Sequence, residues 1–442
     1  MTDIRFSNHE VVSLIILTLT GIVLSVLLHI PLVLGFTPGL TFLFFLSKKK
    51  YIHIKILTNA GKKGLLKTKN VIWILCCIGL ILPAWSLSGT IFQMVQLALV
   101  SINAQYYIVL CFLMSLGLSM ILGTSIGTIS VLGIPLINTA QILGLPLEMV
   151  AGALISGALV GDRTSPLSSS HQLLAHTLEI KVKQQFIRII PTGSAAILIS
   201  TVFFTFLDQY KYNGPQTINL LPEESILVSA TPFIPVIVLI LLVIFKFKIR
   251  YAFLGSIISA SVISFIKGIT FSTWLNSLLF GIKGTGGLQS MFLLICFVAV
   301  ASAYNQIIED LNLIQPLMDK WLKNTYSLFL NTLKTVVVTI MISLIACNQI
   351  LPIILTGRLF LAHWRKYYDA PELSRVLADS SMLLPALIPW NMLAILCSQI
   401  LGVSVLSYLP YAIFLWILPV ITLLFSGLRA KRIVKRCFSH QA

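Results

Sequence analysis

An acidic residue among hydroxyl groups is the first feature of this sequence that suggests cation chemistry. Asp162 stands in GDRTSPLSSS (161–170), where Gly161 and Pro166 interrupt a helix and five Ser and Thr side chains supply oxygens. Hard cations take oxygen ligands, and a carboxylate can also exchange such a cation for a proton. The alternative interpretation is that Asp162 pairs with Arg163 or caps a half-helix through a backbone amide.

A second acid occurs in a similar context about half a chain later. Asp379 lies in LADSSMLLPALIPWN (377–391), 217 residues (379 minus 162) after Asp162, again with hydroxyl groups and prolines. Two discontinuous segments, one in each half, are typical of inverted-repeat transporters with a central site. The alternative is that Asp379 caps a helix N-terminus near the cytoplasmic surface, given Arg375 nearby.

The composition places both acids in a membrane protein. Of the 442 residues, 57% are hydrophobic and 10% are charged, and the mean hydropathy is +0.96. Apolar stretches recur from Val11 to Phe425, each long enough to cross about 30 Å of hydrocarbon as a helix. We therefore expect an all-α polytopic membrane protein of about 12 to 13 transmembrane segments, forming a single domain over 1–442.

The placement of the basic residues predicts the orientation. The net charge is +17, and eight lysines fall between 48 and 69 while further basic residues follow Arg429. Lys and Arg gather on the cytoplasmic side of membrane proteins. We expect a multi-pass protein of the bacterial inner membrane with both termini in the cytoplasm. A polyanion-binding patch is the rival explanation, but the flanking apolar helices argue against a nucleic-acid partner.

Several predicted spans are interrupted. Gly, Ser and Pro break them at PAWSLSG (83–89), GTSIGTIS (123–130) and GTGG (284–287). Backbone groups freed at membrane depth must find partners, and in transporters they often face a bound ion. The alternative is close packing of small residues between helices.

Breaks of this kind divide the predicted domain into parts. We expect an N-terminal helical hairpin plus basic cytoplasmic loop over 1–70, followed by approximate halves at 71–207 and 226–425. Residues 348–360 are interpreted as a short return segment, 376–402 as a helix, and the acids Asp208, Glu223 and Glu224 as part of an outer loop.

Several of these stretches resemble the signatures of the NhaC-type Na+/H+ antiporter family. They are GTSIGT (123–128), GDRTSPLSSS, LTGRLF (355–360), LSRVLADS (373–380) and LIPWN (387–391), in matching order and spacing. The resemblance implies two inverted repeats with broken helices and re-entrant hairpins, and secondary transport without ATP. It also implies no cofactor beyond the transported Na+ and H+. The ion-binding residues that it implies are Thr124, Ser125, Asp162, Ser165, Ser168, Asp379 and Asn391, with Asp162 and Asp379 as the Na+ ligands.

Departures from the family pattern keep a second function open. Ser169 stands where the family motif has a second acid, and Asn348 lies near where an acid is often found. The first prediction is exchange of Na+ for H+, and the second is Na+- or H+-coupled transport of a small organic solute, a carboxylate or an amino acid. No enzyme motif is found. Membrane lipid is an expected partner, and a homodimer is a possible assembly.

Overall fold

The computed structural model describes residues 6–28, 30–101, 104–211, 230–245, 247–282, 285–311, 313 and 327–439, and most of them are helical. Within the described residues, the strands are β1 (Gly281–Ile282) and β2 (Thr285–Gly286), an antiparallel pair in which Gly281 faces Gly286.

The helices before residue 212 include three pairs that nearly touch end to end, at 35–37, 88–90 and 122–125. They are α1 (Asn8–Leu27), α2 (Leu32–Gly35), α3 (Thr37–Lys49), α4 (Ile54–Ser88), α5 (Thr90–Ser101), α6 (Tyr107–Leu122), α7 (Ser125–Ile142), α8 (Leu147–Thr164), α9 (Ser169–Thr177) and α10 (Val182–Lys211).

The described residues after 230 also form ten α-helices. They are α11 (Ile234–Ile244), α12 (Ile249–Ile266), α13 (Phe271–Phe280), α14 (Phe292–Asp310), α15 (Leu328–Ile345), α16 (Ile350–Tyr367), α17 (Ala370–Ala378), α18 (Met392–Leu401), α19 (Val405–Tyr408) and α20 (Ile413–Ser439). Short 3-10 turns lie at Ala104–Tyr106, Thr231–Phe233, Leu288–Met291, Leu384–Leu387 and Leu409–Tyr411.

Eight helices in the described part of the chain are long and apolar enough to cross a membrane, or nine if the bent pair Met392–Leu401 and Val405–Tyr411 is one span. Tyr107–Leu122, Thr231–Ile244 and Ile413–Arg429 are apolar but shorter. The all-α polytopic class is confirmed. The predicted number of about 12 to 13 segments exceeds these eight or nine, because the prediction counted shorter apolar helices as full spans.

The basic stretch and one acidic residue lie in helices rather than in loops. Five of the eight lysines between 48 and 69 are carried by α4, which runs for 35 residues. Asp208 belongs to α10 and is buried. Glu223 and Glu224 lie outside the described residues.

The prediction of a helix over 376–402 is wrong. Helix α17 ends at Ala378, and the next helix, α18, begins only at Met392. Pro385 and Pro389 fall between them, and proline cannot continue a helix because it lacks the amide and clashes with the preceding turn. The return segment predicted over 348–360 is the longer helix α16, of 18 residues.

Close packing of α6 on α8 holds the centre of the molecule. Every residue of α8 from Met149 to Arg163 is buried. A side chain at Gly157 would come within 2.8 Å of the Leu116 nitrogen, so glycine permits this approach. The Ser119 hydroxyl donates to the Gly157 carbonyl at 2.9 Å and accepts from the Gly161 amide at 3.0 Å. Small residues and interhelical hydrogen bonds are how helices associate in membranes.

Asp208 caps the start of α6 from the far end of α10. Its two carboxylate oxygens accept the backbone amides of Ile108 and Val109, each at 2.9 Å. The first amides of a helix have no partner within the helix, so a carboxylate here satisfies two of them. The cap ties α10 to the α6–α8 pair.

Replacing Asp208 with Ala should lower the free energy of unfolding by about 1 to 2 kcal/mol, because two buried amides lose their acceptor. Intrinsic-fluorescence unfolding of the purified protein in detergent would measure the change. Asp369→Ala is the matched control, since the exposed Asp369 precedes α17 without a side-chain cap hydrogen bond. Equal losses for the two variants would contradict the capping role.

Candidate ion-binding site

Asp162 lies in the last turn of α8 and is 6% exposed. Its carboxylate accepts hydrogen bonds from the Ser125 hydroxyl at 2.6 Å and the Ser168 hydroxyl at 3.3 Å. No basic side chain of the described residues forms an ion pair with it. The backbone amide of Ser125, the first residue of α7, also hydrogen-bonds to this carboxylate. Asp162 therefore receives two hydroxyl donors and caps a half-helix through a backbone amide, as the alternative interpretation of the sequence had it.

The break between α6 and α7 positions the Ser125 hydroxyl beside Asp162. Gly123 ends α6 with a φ of +66°, a left-handed conformation that favours glycine. A side chain there would also lie 2.8 Å from the Ser168 nitrogen. Thr124 caps α7 by accepting the Gly127 amide at 3.4 Å. Ser125 is thus the first residue of α7 and faces the loop after α8.

The loop after α8 positions the Ser168 hydroxyl beside Asp162. Ser168 caps α9, accepting the His171 amide at 3.3 Å while its own hydroxyl reaches Asp162. The Ser165 hydroxyl instead donates to the Met120 carbonyl at 2.9 Å, satisfying the end of α6. Of the residues that the sequence analysis proposed, Ser125 and Ser168 contact Asp162, whereas Ser165 supports the backbone around it.

Arg163 turns away from Asp162 and forms a buried ion pair with Asp379. The Nε and one terminal nitrogen of Arg163 donate to Asp379 Oδ1 at 2.7 and 2.5 Å, and both side chains are fully buried. The Thr422 hydroxyl donates to the other oxygen of Asp379. Asp379 follows the last residue of α17, so the alternative that it caps a helix N-terminus is wrong. Its partners differ from those of Asp162.

Arg163 is held by more than Asp379. The same terminal nitrogen also donates to the Ile189 carbonyl and to the Thr192 hydroxyl of α10, each at 2.9 Å. The alternative that Asp162 pairs with its neighbour Arg163 is therefore not what the structure shows. The Arg163 guanidinium is hydrogen-bonded to α10 and to Asp379, the residue after α17.

A second buried cluster continues from this pair toward the surface. Glu372 contacts the guanidinium groups of Arg375 at 2.5 Å, Arg429 at 2.6 Å and Arg188 at 2.9 Å. Burial would raise the pKa of Glu372, but the three guanidinium groups hold it below its ordinary value. The Arg375 guanidinium donates to Glu372 and also lies over the Phe425 ring, 4.7 Å from its centroid.

Sequence reasoning missed this cluster. Glu372 and Arg375 stand three residues apart in α17, a spacing at which opposite charges meet on a helix. That spacing was the available signal. The contributions of Arg188 and Arg429 come from α10 and α20 and have no local signal.

Asn391 stabilises the second broken region. Its Oδ1 accepts the Leu393 amide at 3.0 Å as the cap of α18, and its Nδ2 donates to the Ala346 carbonyl at 3.1 Å. It thereby connects the start of α18 to the end of α15. Asn391 satisfies freed backbone groups and makes no hydrogen bond to Asp162.

A cleft of about 960 Å³ lies against the α6–α7 break. Its polar lining comes from Asn70, Thr124, Ser169, Gln172, Lys248 and Arg250. Ser169 is exposed in it, at the start of α9. Arg250 is positioned by hydrogen bonds to Asn70 at 3.1 Å and to the Tyr251 hydroxyl at 2.9 Å. The cleft thus reaches the residues that precede Ser125.

Removing one member of the Arg163–Asp379 pair should be far more costly than removing both. Arg163→Met or Asp379→Leu leaves an uncompensated buried charge and should cost about 3 to 5 kcal/mol, whereas the double variant should lose much less than the sum. Detergent unfolding of the four proteins gives the coupling energy.

The exposed pair of Arg365 and Glu179, 2.9 Å apart, is the matched control. Its coupling energy should not exceed about 1 kcal/mol. Additive losses for the buried pair would contradict the view that Asp379 balances Arg163.

Comparison with known proteins identifies the family of this chain. Residues 207–428 match the family described as the Na+/H+ antiporter family. The Na+/H+ antiporter NhaC of Bacillus subtilis (strain 168) is 28% identical over 79% of this chain and 82% of its own length. NhaC of Alkalihalophilus pseudofirmus is 26% identical, covering 92% of this chain and 91% of its own.

A third relative is named for organic anions as well as for H+ and Na+. The malate-2H+/Na+-lactate antiporter of Bacillus subtilis (strain 168) is 25% identical over 94% of this chain and 93% of its own length. These relatives are transporters, not enzymes, and the resemblance to NhaC-type antiporters is confirmed. Because the family match covers half of the chain, this protein belongs to the Na+/H+ antiporter family.

Proposed function

We propose that this protein exchanges Na+ for H+ and that Asp162 is the group for which the two cations compete. The observation that carries the proposal is a buried carboxylate with two hydroxyl donors and no ion-pair partner among the described residues. A buried charge without compensation costs several kcal/mol. Either a proton or a sodium ion removes that cost, and one carboxylate cannot hold both fully.

The oxygens of Ser125 and Ser168 suit the sodium-bound state. A hydroxyl donates to an ionised carboxylate and still offers lone pairs to a cation. Asp379 is a weaker candidate for Na+, because Arg163 already balances its charge. The predicted pairing of Asp162 and Asp379 as joint Na+ ligands is therefore revised in this proposal to Asp162 alone, with Asp379 in a supporting role.

Alternating access would expose Asp162 to each side of the membrane in turn. We propose that the cleft beside the α6–α7 break lies on the cytoplasmic side. Lys248 and Arg250 line it, and Lys and Arg gather on the cytoplasmic side of membrane proteins. In this orientation the N- and C-termini lie in the cytoplasm. The location that we propose is the bacterial inner membrane. The two inverted repeats and a homodimer remain predictions.

Asp162→Asn should abolish exchange while preserving the fold, because the amide is isosteric but cannot bind a proton or sodium ion in competition. Proton release from everted vesicles on adding NaCl, followed with a pH-sensitive dye, measures exchange. We expect the signal to fall to the level of vesicles without the protein.

Asp208→Asn is the matched control for that experiment. It removes another buried carboxylate, which caps α6 and does not contact Asp162. Exchange should persist in this variant. Full activity in Asp162→Asn would rule out Asp162 as the coupling group.

A second function, transport of a small organic anion, is supported by the cleft. Lys248 and Arg250 line it together with Ser169, which occupies the place of the second family acid. The loss of that negative charge and the presence of two cations would favour a carboxylate. One relative is named as a malate and lactate antiporter.

Uptake of labelled lactate and malate into proteoliposomes under a sodium gradient tests this second function. If the cleft binds the anion, Arg250→Gln should reduce uptake at least tenfold, since a charged hydrogen bond contributes about 1.5 to 3 kcal/mol. The control Arg365→Gln removes an exposed arginine outside the lining of this cleft and should leave uptake intact. Proton release evoked by Na+ without any uptake would leave cation exchange as the sole activity.

A further inference from the structure

Helix α4 is longer than the membrane is thick. Its 35 residues extend about 52 Å at 1.5 Å per residue, against about 30 Å of hydrocarbon. Its lysines lie in the first half, and the apolar run begins at Val71. The first half of α4 therefore lies at the level of the lipid headgroups or beyond.

The lysines of α4 divide into two faces. Lys63 and Lys67 face α14, where they pair with Asp310 at 3.3 Å and Glu309 at 3.2 Å. Lys55, Lys62 and Lys69 are spaced by seven residues, which places them on one face of a helix with 3.6 residues per turn. All three are exposed, and none has an ion-pair partner among the described residues. We call these three lysines the lysine stripe.

The lysine stripe runs into an apolar groove on the same helix. The groove has a volume of about 410 Å³ and is lined by Leu65, Leu66, Lys69, Ile72, Trp73 and Cys76. Leu66 is exposed, and Trp73 is 45% exposed. Tryptophan favours the boundary between headgroups and hydrocarbon. Positive charge at one end, an interfacial ring and apolar side chains below it match the order of groups along a phospholipid.

We propose that this face of α4 binds an anionic phospholipid, with its phosphate at Lys62 and Lys69 and an acyl chain along Leu66 and Trp73. A zwitterionic lipid also offers a phosphate, but its headgroup cation would lie close to the lysine stripe and oppose binding, whereas an anionic headgroup brings no such cation. A soluble anion would leave the apolar groove empty. The lysine stripe matches a negative headgroup, and the apolar groove matches an acyl chain. Together they favour an anionic lipid over a free phosphate.

The paired lysines supply a matched control for the test. Lys62→Gln with Lys69→Gln removes two unpaired charges, and Lys63→Gln with Lys67→Gln removes the same number from the same helix. The full-length protein would be reconstituted in nanodiscs of phosphatidylcholine with a minor fraction of phosphatidylglycerol. Native mass spectrometry then counts the phosphatidylglycerol that stays bound.

The Lys62 and Lys69 variant should retain roughly tenfold to thirtyfold less phosphatidylglycerol than wild type, since each juxtamembrane lysine contributes about fivefold to binding an anionic surface. The Lys63 and Lys67 variant should retain most of it. Equal losses in the two variants would show that only the total charge matters, and undiminished retention in the first variant would exclude the site. Either result would overturn the proposal.

A second readout tests contact with the acyl chain. Phosphatidylglycerol brominated on its acyl chains should quench wild-type fluorescence more than that of Trp73→Phe, and soluble glycerol phosphate or inorganic phosphate should not compete for the site. Identical quenching in the two proteins, or displacement by free phosphate, would contradict binding of a whole lipid along α4.

Discussion

The buried ion pair between Arg163 and Asp379 determines the chemistry open to Asp162. Arg163 is the next residue to Asp162, and a free guanidinium so close would neutralise it. Asp379, Thr192 and the Ile189 carbonyl instead hold the guanidinium in place. In a medium where each uncompensated charge is costly, the Asp162 carboxylate has no ion-pair partner among the described residues, and the proposed role in cation exchange rests on this feature.

The same pair joins distant parts of the chain into one unit. Arg163 belongs to α8 and contacts α10, while Asp379 at the end of α17 accepts from Thr422 of α20. Glu372 then gathers arginines from α10, α17 and α20. Separating α8 from α17 would break a fully buried ion pair, so we expect these two helices to stay together in any rearrangement of the molecule.

Polar side chains satisfy backbone groups at several of the described helix ends. Ser165 donates to the carbonyl at the end of α6, Asn391 connects α15 to α18, and Asp208 caps α6. Without water to hydrogen-bond freed groups, a break inside a membrane protein needs such substitutes. The hydroxyls that reach Asp162 come from residues at two of these breaks, so the site results from the interruptions themselves.

Sequence alone was sufficient for the helical membrane class, since uninterrupted apolar runs of about 20 residues satisfy their backbone in lipid as helices. It was also sufficient for the grouping of Asp162 with the hydroxyls that follow it, since those residues are neighbours in the chain. It also located the break at Gly123. It could not decide which acid partners Arg163, because the choice lay between a residue one position away and one 216 positions away. Consecutive side chains of a helix point about 100° apart, so adjacency in sequence does not by itself pair Arg163 with Asp162. The burial of Asp208 and the contacts of Glu372 with Arg188 and Arg429 were likewise decided by packing between helices that no local pattern encodes.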